Sequence, residues 1–328
     1  MDKKTDQIAI INSLRGIAAT AVCFYHFVCT TIDFVDNQFV LDIFHFGQKG
    51  VQLFFIISGI VIPLSLIKSE YSLMRWKNFM LKRFIRIEPP YLVAVAIGIF
   101  YLIIRNYIPG TVANDLTPSF ATILMHIGYL IPFFDGHEWI SPVFWTLAVE
   151  FQYYLALSIL FPLVLSSKIA FRILFYFAFI GGGFLGLSDG LFPHWAPYFL
   201  AGILYILWLK GKIGTFEFWI MNAFLAPILY YLLGGVDLGI AVITLLIIHY
   251  FANAQTNATL FLGKISYSLY LLHAMIGGAF VNYLSHLYTA PYQKVLIVLL
   301  GFTISVVAAY VLYRLIEKPS HAYAKRKG

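Results

Sequence analysis

The chain is poor in charge. Only 11% of its 328 residues are Asp, Glu, Lys or Arg, and the acidic ones number 15. Soluble domains carry about a quarter charged residues. With 61% hydrophobic residues and a mean hydropathy of +0.83, this chain has too little polar surface to be a soluble globule. Cysteine is nearly absent. Cys23 and Cys29 lie six positions apart in one apolar run, which excludes a disulfide scaffold, and no metal-ligand spacing surrounds them. No metal site is expected. A Walker-type glycine loop is missing as well, so nucleotide hydrolysis is not indicated. The chain shows no separate soluble domain, no low-complexity tract and no clear internal repeat. Its start lacks a small-residue cleavage site, so the first apolar run is expected to be a retained span and not a cleaved leader.

What the sequence does have is repeated apolar runs of about 20 residues, the length that crosses a bilayer as a helix. They predict an all-α integral membrane protein of about ten transmembrane helices, built as a single domain over residues 1–328. The candidate spans are about 8–31, 50–67, 89–105, 143–165, 172–188, 195–209, 214–233, 236–253, 264–284 and 293–315. A basic segment, about 68–88, separates the second from the third. The longest outer loop, about 106–142, follows the third and holds a short amphipathic helix near Ser119–Phe133. The net charge of +7 is then a matter of topology and not of nucleic-acid binding. With both termini in the cytoplasm, 18 of the 22 Lys and Arg residues face inward. Lys49, Arg105 and Lys294 face outward, and Arg15 lies within a span. That bias decides the orientation.

The first span carries the most informative stretch, Asn12 to His26 (NSLRGIAATAVCFYH). An arginine and a histidine are costly inside a bilayer and are functional hypotheses by default. Eleven residues separate Arg15 from His26, which places them within about 20° of one helix face and roughly 16 Å apart along it. Asn12 falls near the same stripe. Gly16, Ala18, Ala19 and Ala21 are small enough to admit a neighbouring helix. Histidine is the usual side chain for moving a proton near neutral pH, and one held in a span could deprotonate a hydroxyl. A histidine satisfied by a neighbouring carbonyl is the structural alternative.

Other polar groups accompany this stripe. In the stretch Arg75 to Tyr91, a helix would place Arg75, Lys82 and Arg86 on one face with Arg83 about 80° away. Pro89 and Pro90 would then break it. Such a face suits clustered phosphates, which coenzyme A carries. A basic helix touching anionic lipid is the alternative. Glu150, inside the fourth span, must be neutral, paired or beside water. It could orient a protonated His26, pair with Arg15, or be held by Ser or Tyr hydroxyls. Ser58, Tyr267, Ser268, His273 and Glu317 form a looser set, more in keeping with helix packing. Intramembrane Arg, His and Glu also suit a proton-coupled carrier. Such carriers show paired broken helices in two halves, and no such symmetry is visible.

Five stretches resemble, in order, the motifs of the membrane-bound acyltransferase family 3, bacterial enzymes that O-acylate surface and secreted glycans. LRGIAATAVCFYH resembles the opening motif in which RGxAA precedes a histidine. KGVQLFFIISGIVIP (Lys49 to Pro63) resembles GVxLFFxxSGxxI, and KRFIRIEPPY (Lys82 to Tyr91) resembles RRxxRIxPPY. FWTLAVEFQYYL (Phe144 to Leu155) resembles WSLSVEEQFYL, and ISYSLYLLH (Ile265 to His273) resembles SYSLYLxH. Three departures stand out: Lys82 replaces an arginine, Glu88 a tyrosine, and Phe151 the second acidic residue, which leaves Glu150 alone. The resemblance implies a bacterial inner-membrane O-acyltransferase, most readily an O-acetyltransferase. Acyl-CoA (acetyl-CoA) would be the donor on the cytoplasmic side and a glycan the outward-facing acceptor, with lipopolysaccharide among the candidates. It implies His26 as the essential histidine, aided by Glu150 and Arg15. Arg83 and Arg86, with Arg75, Lys82 and Ser58, would serve the donor. It also implies a stand-alone form without an appended SGNH-type hydrolase domain.

Overall fold

The computed structural model describes residues 8–107 and 117–326, and no strand occurs among them. Lys3, Lys4 and Lys327, counted above in the inward charge, and the middle of the long loop lie outside the described residues. The helices are α1 (Ile10–Cys29), α2 (Gln38–His45), α3 (Gly50–Lys68), α4 (Trp76–Arg105), α5 (Phe120–Ile127), α6 (Trp145–Val164) and α7 (Ile169–Gly181). They continue with α8 (Phe192–Leu209), α9 (Thr215–Leu233), α10 (Gly235–Tyr250), α11 (Asn257–Leu272), α12 (Ala279–Ser285), α13 (Pro291–Leu312) and α14 (Lys318–Arg326). All the apolar runs fold as helix. Among the described residues six helices can cross a membrane by length and composition, or seven if α11 and the bent stretch Ala274–Ser285 count as one span. α1 is long enough at 20 residues but is made less apolar by Asn12, Arg15 and His26. α10 and the stretch Ile169–Phe184 are apolar but shorter.

Proline does not stop these helices. α4 continues through Pro89 and Pro90, where a break is expected from the sequence, and α3, α6, α8 and α9 each contain one proline. In apolar surroundings, breaking the helix would strand more backbone groups than the missing N–H does, so the turn persists. At this turn of α4 the Tyr267 hydroxyl donates to the Ile87 carbonyl over 2.9 Å.

The chain divides into two compact units. One comprises the described residues of Met1–Ala18, Lys49–Met80 and Val149–Gly263; the other those of Ala19–Gln48, Leu81–Ala148 and Lys264–Gly328. In the first unit α3 crosses α8 at glycine. A Cβ on Gly59 would overlap the Phe199 carbonyl, and one on Gly202 would overlap that of Ile56. Small residues here let two backbones touch. The small residues of α1 behave likewise, since a Cβ on Gly16 would lie 2.7 Å from the Gly263 nitrogen of α11. Ser13 and Thr259 share a 2.8 Å hydrogen bond nearby. Asp237 is buried and accepts from Lys49 at 2.8 Å, Gln52 at 3.2 Å and Tyr198 at 2.6 Å. Glu217 accepts from Arg172 at 2.9 Å and Tyr176 at 2.7 Å.

In the second unit the expected amphipathic helix exists as α5, capped by Ser119, whose hydroxyl accepts from the Thr122 amide at 3.1 Å. Its position is less expected. Tyr91 donates to the His126 carbonyl at 3.3 Å, and the Tyr129 hydroxyl donates to Glu88 at 2.9 Å. His126 donates from Nδ1 to the Thr122 carbonyl and accepts the Ile140 amide at Nε2, which stitches α5 to the chain returning toward α6. Ile140 in turn packs on Gly98. Tyr91 precedes Arg105, the end of α4, by 14 residues, or about 21 Å of helix. The stretch 120–140 therefore runs back along α4 to Glu88 and does not stay at its end.

Candidate active site

α1 carries Arg15 and His26 as the spacing predicts, both half-buried, while Asn12 is exposed. Within the second unit His26 faces another histidine. The His26 and His273 rings have centroids 5.1 Å apart and planes inclined by 51°. His273 has no solvent exposure. Its Nδ1 donates to the carbonyls of Leu269, at 3.1 Å, and Tyr270, at 2.9 Å. That fixes the proton on Nδ1 and leaves Nε2 a bare acceptor, for which no hydrogen-bond partner is present.

The backbone around His273 departs from the α-helix. α11 ends at Leu272, a π-turn covers Ala274–Gly278, and the two halves bend by 55°. The Gly278 amide donates to the His273 carbonyl at 2.8 Å, five residues back. Gly277 is what the bend requires, since a Cβ there would overlap the Ser305 hydroxyl and lie 2.6 Å from the Phe27 ring. Phe27, the neighbour of His26, also lies 6.4 Å from His273 by ring centroids.

The cations fall into two groups. Lys82, Arg83 and Arg86 lie in consecutive turns of α4 within the second unit. Arg83 is the most buried at 8% exposure, and Lys82 and Arg86 are half-buried. Arg75 lies before the helix, in a 3₁₀ turn (Leu73–Arg75). It is exposed, with its guanidinium donating to the Ser69 carbonyl at 3.1 Å. The expected shared face of Arg75, Lys82 and Arg86 is thus not one helical face, because the helix starts one residue too late. Lys82, Arg83 and Arg86 offer the donor set that phosphate oxygens need.

Glu150 belongs to the first unit and is half-buried there. It accepts hydrogen bonds from the Ser58 hydroxyl, at 2.9 Å, and from the Tyr154 hydroxyl at closer range. The arrangement is the hydroxyl-held carboxylate left open above, and it occupies the hydroxyl of Ser58. Two carboxyl groups of the second unit were less legible. Glu88 is 2% exposed, and its Oε1 has no partner beyond the Tyr129 bond on Oε2. Glu317, also 2% exposed, accepts from Ser268 at 2.6 Å. The sequence signal for both was a lone acid beside apolar residues. Among the described residues no group of three His, Cys, Asp or Glu side chains is placed to hold a metal ion.

The acyltransferase domain model of acyltransferase family 3 matches residues 8–314. The chain belongs to that family. The family match covers Arg15, His26, Ser58, the α4 cations, Glu150 and His273, and ends three residues before Glu317. The chain is similar to "Putative O-acetyltransferase SACOL0978" of Staphylococcus aureus (strain COL), at 26% identity over 371 aligned positions. It has the same identity to "Putative O-acetyltransferase SAS0844" of strain MSSA476 and to "Putative O-acetyltransferase SAR0937" of strain MRSA252. The alignments take in 97% of this chain and 58% of each relative, so the chain spans somewhat over half the length of the curated relatives it matches. No solved structure matches it.

Proposed function

We propose that this family 3 protein is an integral-membrane O-acyltransferase that moves an acetyl group from cytoplasmic acetyl-CoA to a hydroxyl of a surface or secreted glycan. It would work in a bacterial inner membrane, with about ten spans and both termini in the cytoplasm. The observation that carries the reading is His26, half-buried in a family-matched span on the same helix as Arg15. The ion pairs agree with the orientation. Lys49 and Asp237 would both be outer residues, Arg172 and Glu217 both inner ones, and each pair closes at 2.8–2.9 Å. In this topology the stretch 120–140 is re-entrant, tied down through the buried residues Thr122, His126, Tyr129, Ile131 and Ile140.

The chemistry follows from the residues. Lys82, Arg83 and Arg86 hold the phosphates of the donor. Arg15 attracts the donor toward the membrane interior. His26 takes the proton of the acceptor hydroxyl as its oxygen bonds to the thioester carbonyl carbon. The carbon–sulfur bond breaks, and coenzyme A leaves as a thiolate that takes the proton back from His26. The test is calorimetry of the purified chain in detergent with acetyl-CoA and with free coenzyme A. Binding is expected for the wild-type protein and its loss for Arg83→Ala/Arg86→Ala. Absence of binding by folded wild-type protein would overturn the reading.

A further inference from the structure

We propose that His273 is the positioning partner of His26. Its bare Nε2 accepts the N–H of the His26 ring and so aims the other ring nitrogen's lone pair at the acceptor hydroxyl. The inference rests on the reading of His26 as the base, and three observations independent of that reading carry it.

The first is the orphaned acceptor. His273 is fully buried, its Nδ1–H is committed to two carbonyls, and its Nε2 has no partner. A buried acceptor left without a donor is costly and is rare unless something uses it. The bonds to Leu269 and Tyr270 also prevent the ring from changing tautomer, so the lone pair is fixed where it is.

The second is distance. The two ring centroids stand 5.1 Å apart. Imidazoles joined edge to edge by one hydrogen bond have centroids about 5 Å apart, since each nitrogen lies about 1.1 Å from its centroid and the bond spans about 2.9 Å. The separation is already that of a bonded pair. The rings are inclined by 51°, and the bond closes when a turn of the His26 ring brings one of its nitrogens to face His273 Nε2.

The third is the backbone. A π-turn begins directly after His273 and takes that residue's own carbonyl as its acceptor. Such turns occur often at functional sites, because they cost hydrogen-bond quality and survive where they aim a side chain. Here the turn bends the span and brings Gly277 against Phe27, the residue next to His26. The bend and the histidine pair are one local arrangement.

The role is positional. During transfer the acceptor proton goes to the free nitrogen of His26, and the resulting imidazolium keeps its second N–H on His273 Nε2. His273 stays neutral throughout and touches no reacting atom. This is the base-and-orienter logic of activated nucleophiles, with an imidazole as the orienter.

The test reads His26 itself. The full chain in detergent is treated with diethyl pyrocarbonate, and carbethoxylation of His26 is followed by mass spectrometry in wild type, His273→Leu and His273→Gln. His273→Leu is expected to slow the reaction about tenfold, the worth of one hydrogen bond. His273→Gln, which restores a carbonyl acceptor, is expected to recover most of the rate. Equal rates in wild type and in a folded His273→Leu would overturn the proposal. Should the leucine variant unfold, the wild-type protein labelled with ¹⁵N-histidine decides. An Nε2 resonance of His273 that carries a hydrogen bond and loses it in His26→Ala supports the pair, and one unmoved by His26→Ala refutes it. Because neither readout needs acyl transfer, a protein that fails to bind acetyl-CoA would refute the enzyme reading and leave the pair still decided.

Discussion

The two units treat buried polar groups differently. In the first, no carboxylate oxygen of the described residues is both buried and without a partner. Asp237 takes three donors, Glu217 two and Glu150 two. The buried orphans there are amide atoms, of Gln52 and Gln152. In the second unit two titratable groups are left open, His273 at Nε2 and Glu88 at Oε1. A closed network is what stability alone produces, since each unfilled valence is a loss. An open valence on a titratable group, at the same depth, is a cost that a working site can explain. The second unit also contains both π-turns, Ala274–Gly278 and Tyr313–Glu317.

The sharpest way to break this contrast is to remove the base. His26→Ala is expected to lower acetyl transfer by about 10²–10⁴, measured as turnover of acetyl-CoA with a glycan acceptor, while the protein keeps its elution volume and helical content. An active, folded His26→Ala would leave the second unit without its claimed purpose. Next in size is a stability effect in the first unit. Asp237→Ala leaves the Lys49 ammonium beside an empty acceptor and should cost about 3 kcal/mol, seen as an earlier thermal transition in detergent. Transfer per folded molecule should be unchanged. A stable Asp237→Ala would mean the network is not the clamp that its geometry suggests. The smallest effect is expected at Glu88→Gln, which keeps an acceptor for Tyr129 and adds no charge. As a buried change that puts an N–H₂ group where no partner is present, it should cost about 1 kcal/mol. A larger loss would mean that the open oxygen of Glu88 is used in the folded state.

How far the sequence could be read follows the same division. Hydropathy averages over a window, and a window is enough to find helices. Each apolar run is helical, and α5 lies where the amphipathic pattern put it. The polar stripe of α1 was also legible, because Arg15 and His26 sit on one element. What could not be read depends on contacts between elements. Nothing along the chain says that Tyr129 reaches Glu88, or that the loop after α4 turns back beside it. Pro89 and Pro90 signal a break to a rule learned in water, and here α4 continues through both. Arg83, assigned away from the cationic face, is the most buried of the α4 cations, because spacing gives the angles between side chains but not which face of the helix packs inward. His273 was visible as a lone mid-span histidine. Its meaning appears only when the chain folds it against His26.

The π-turn after His273 sets a phase. It fits one residue too many into a turn, so every side chain beyond Gly278 is rotated by about 100° from where an unbroken α-helix would carry it. Without that surplus, the helix could present His273 to His26 or Val281 to Gly301, but not both. One extra residue lets a single helix keep two appointments on different bearings. A one-residue deletion at this turn would reset all the later bearings together, while leaving the composition of the span almost untouched.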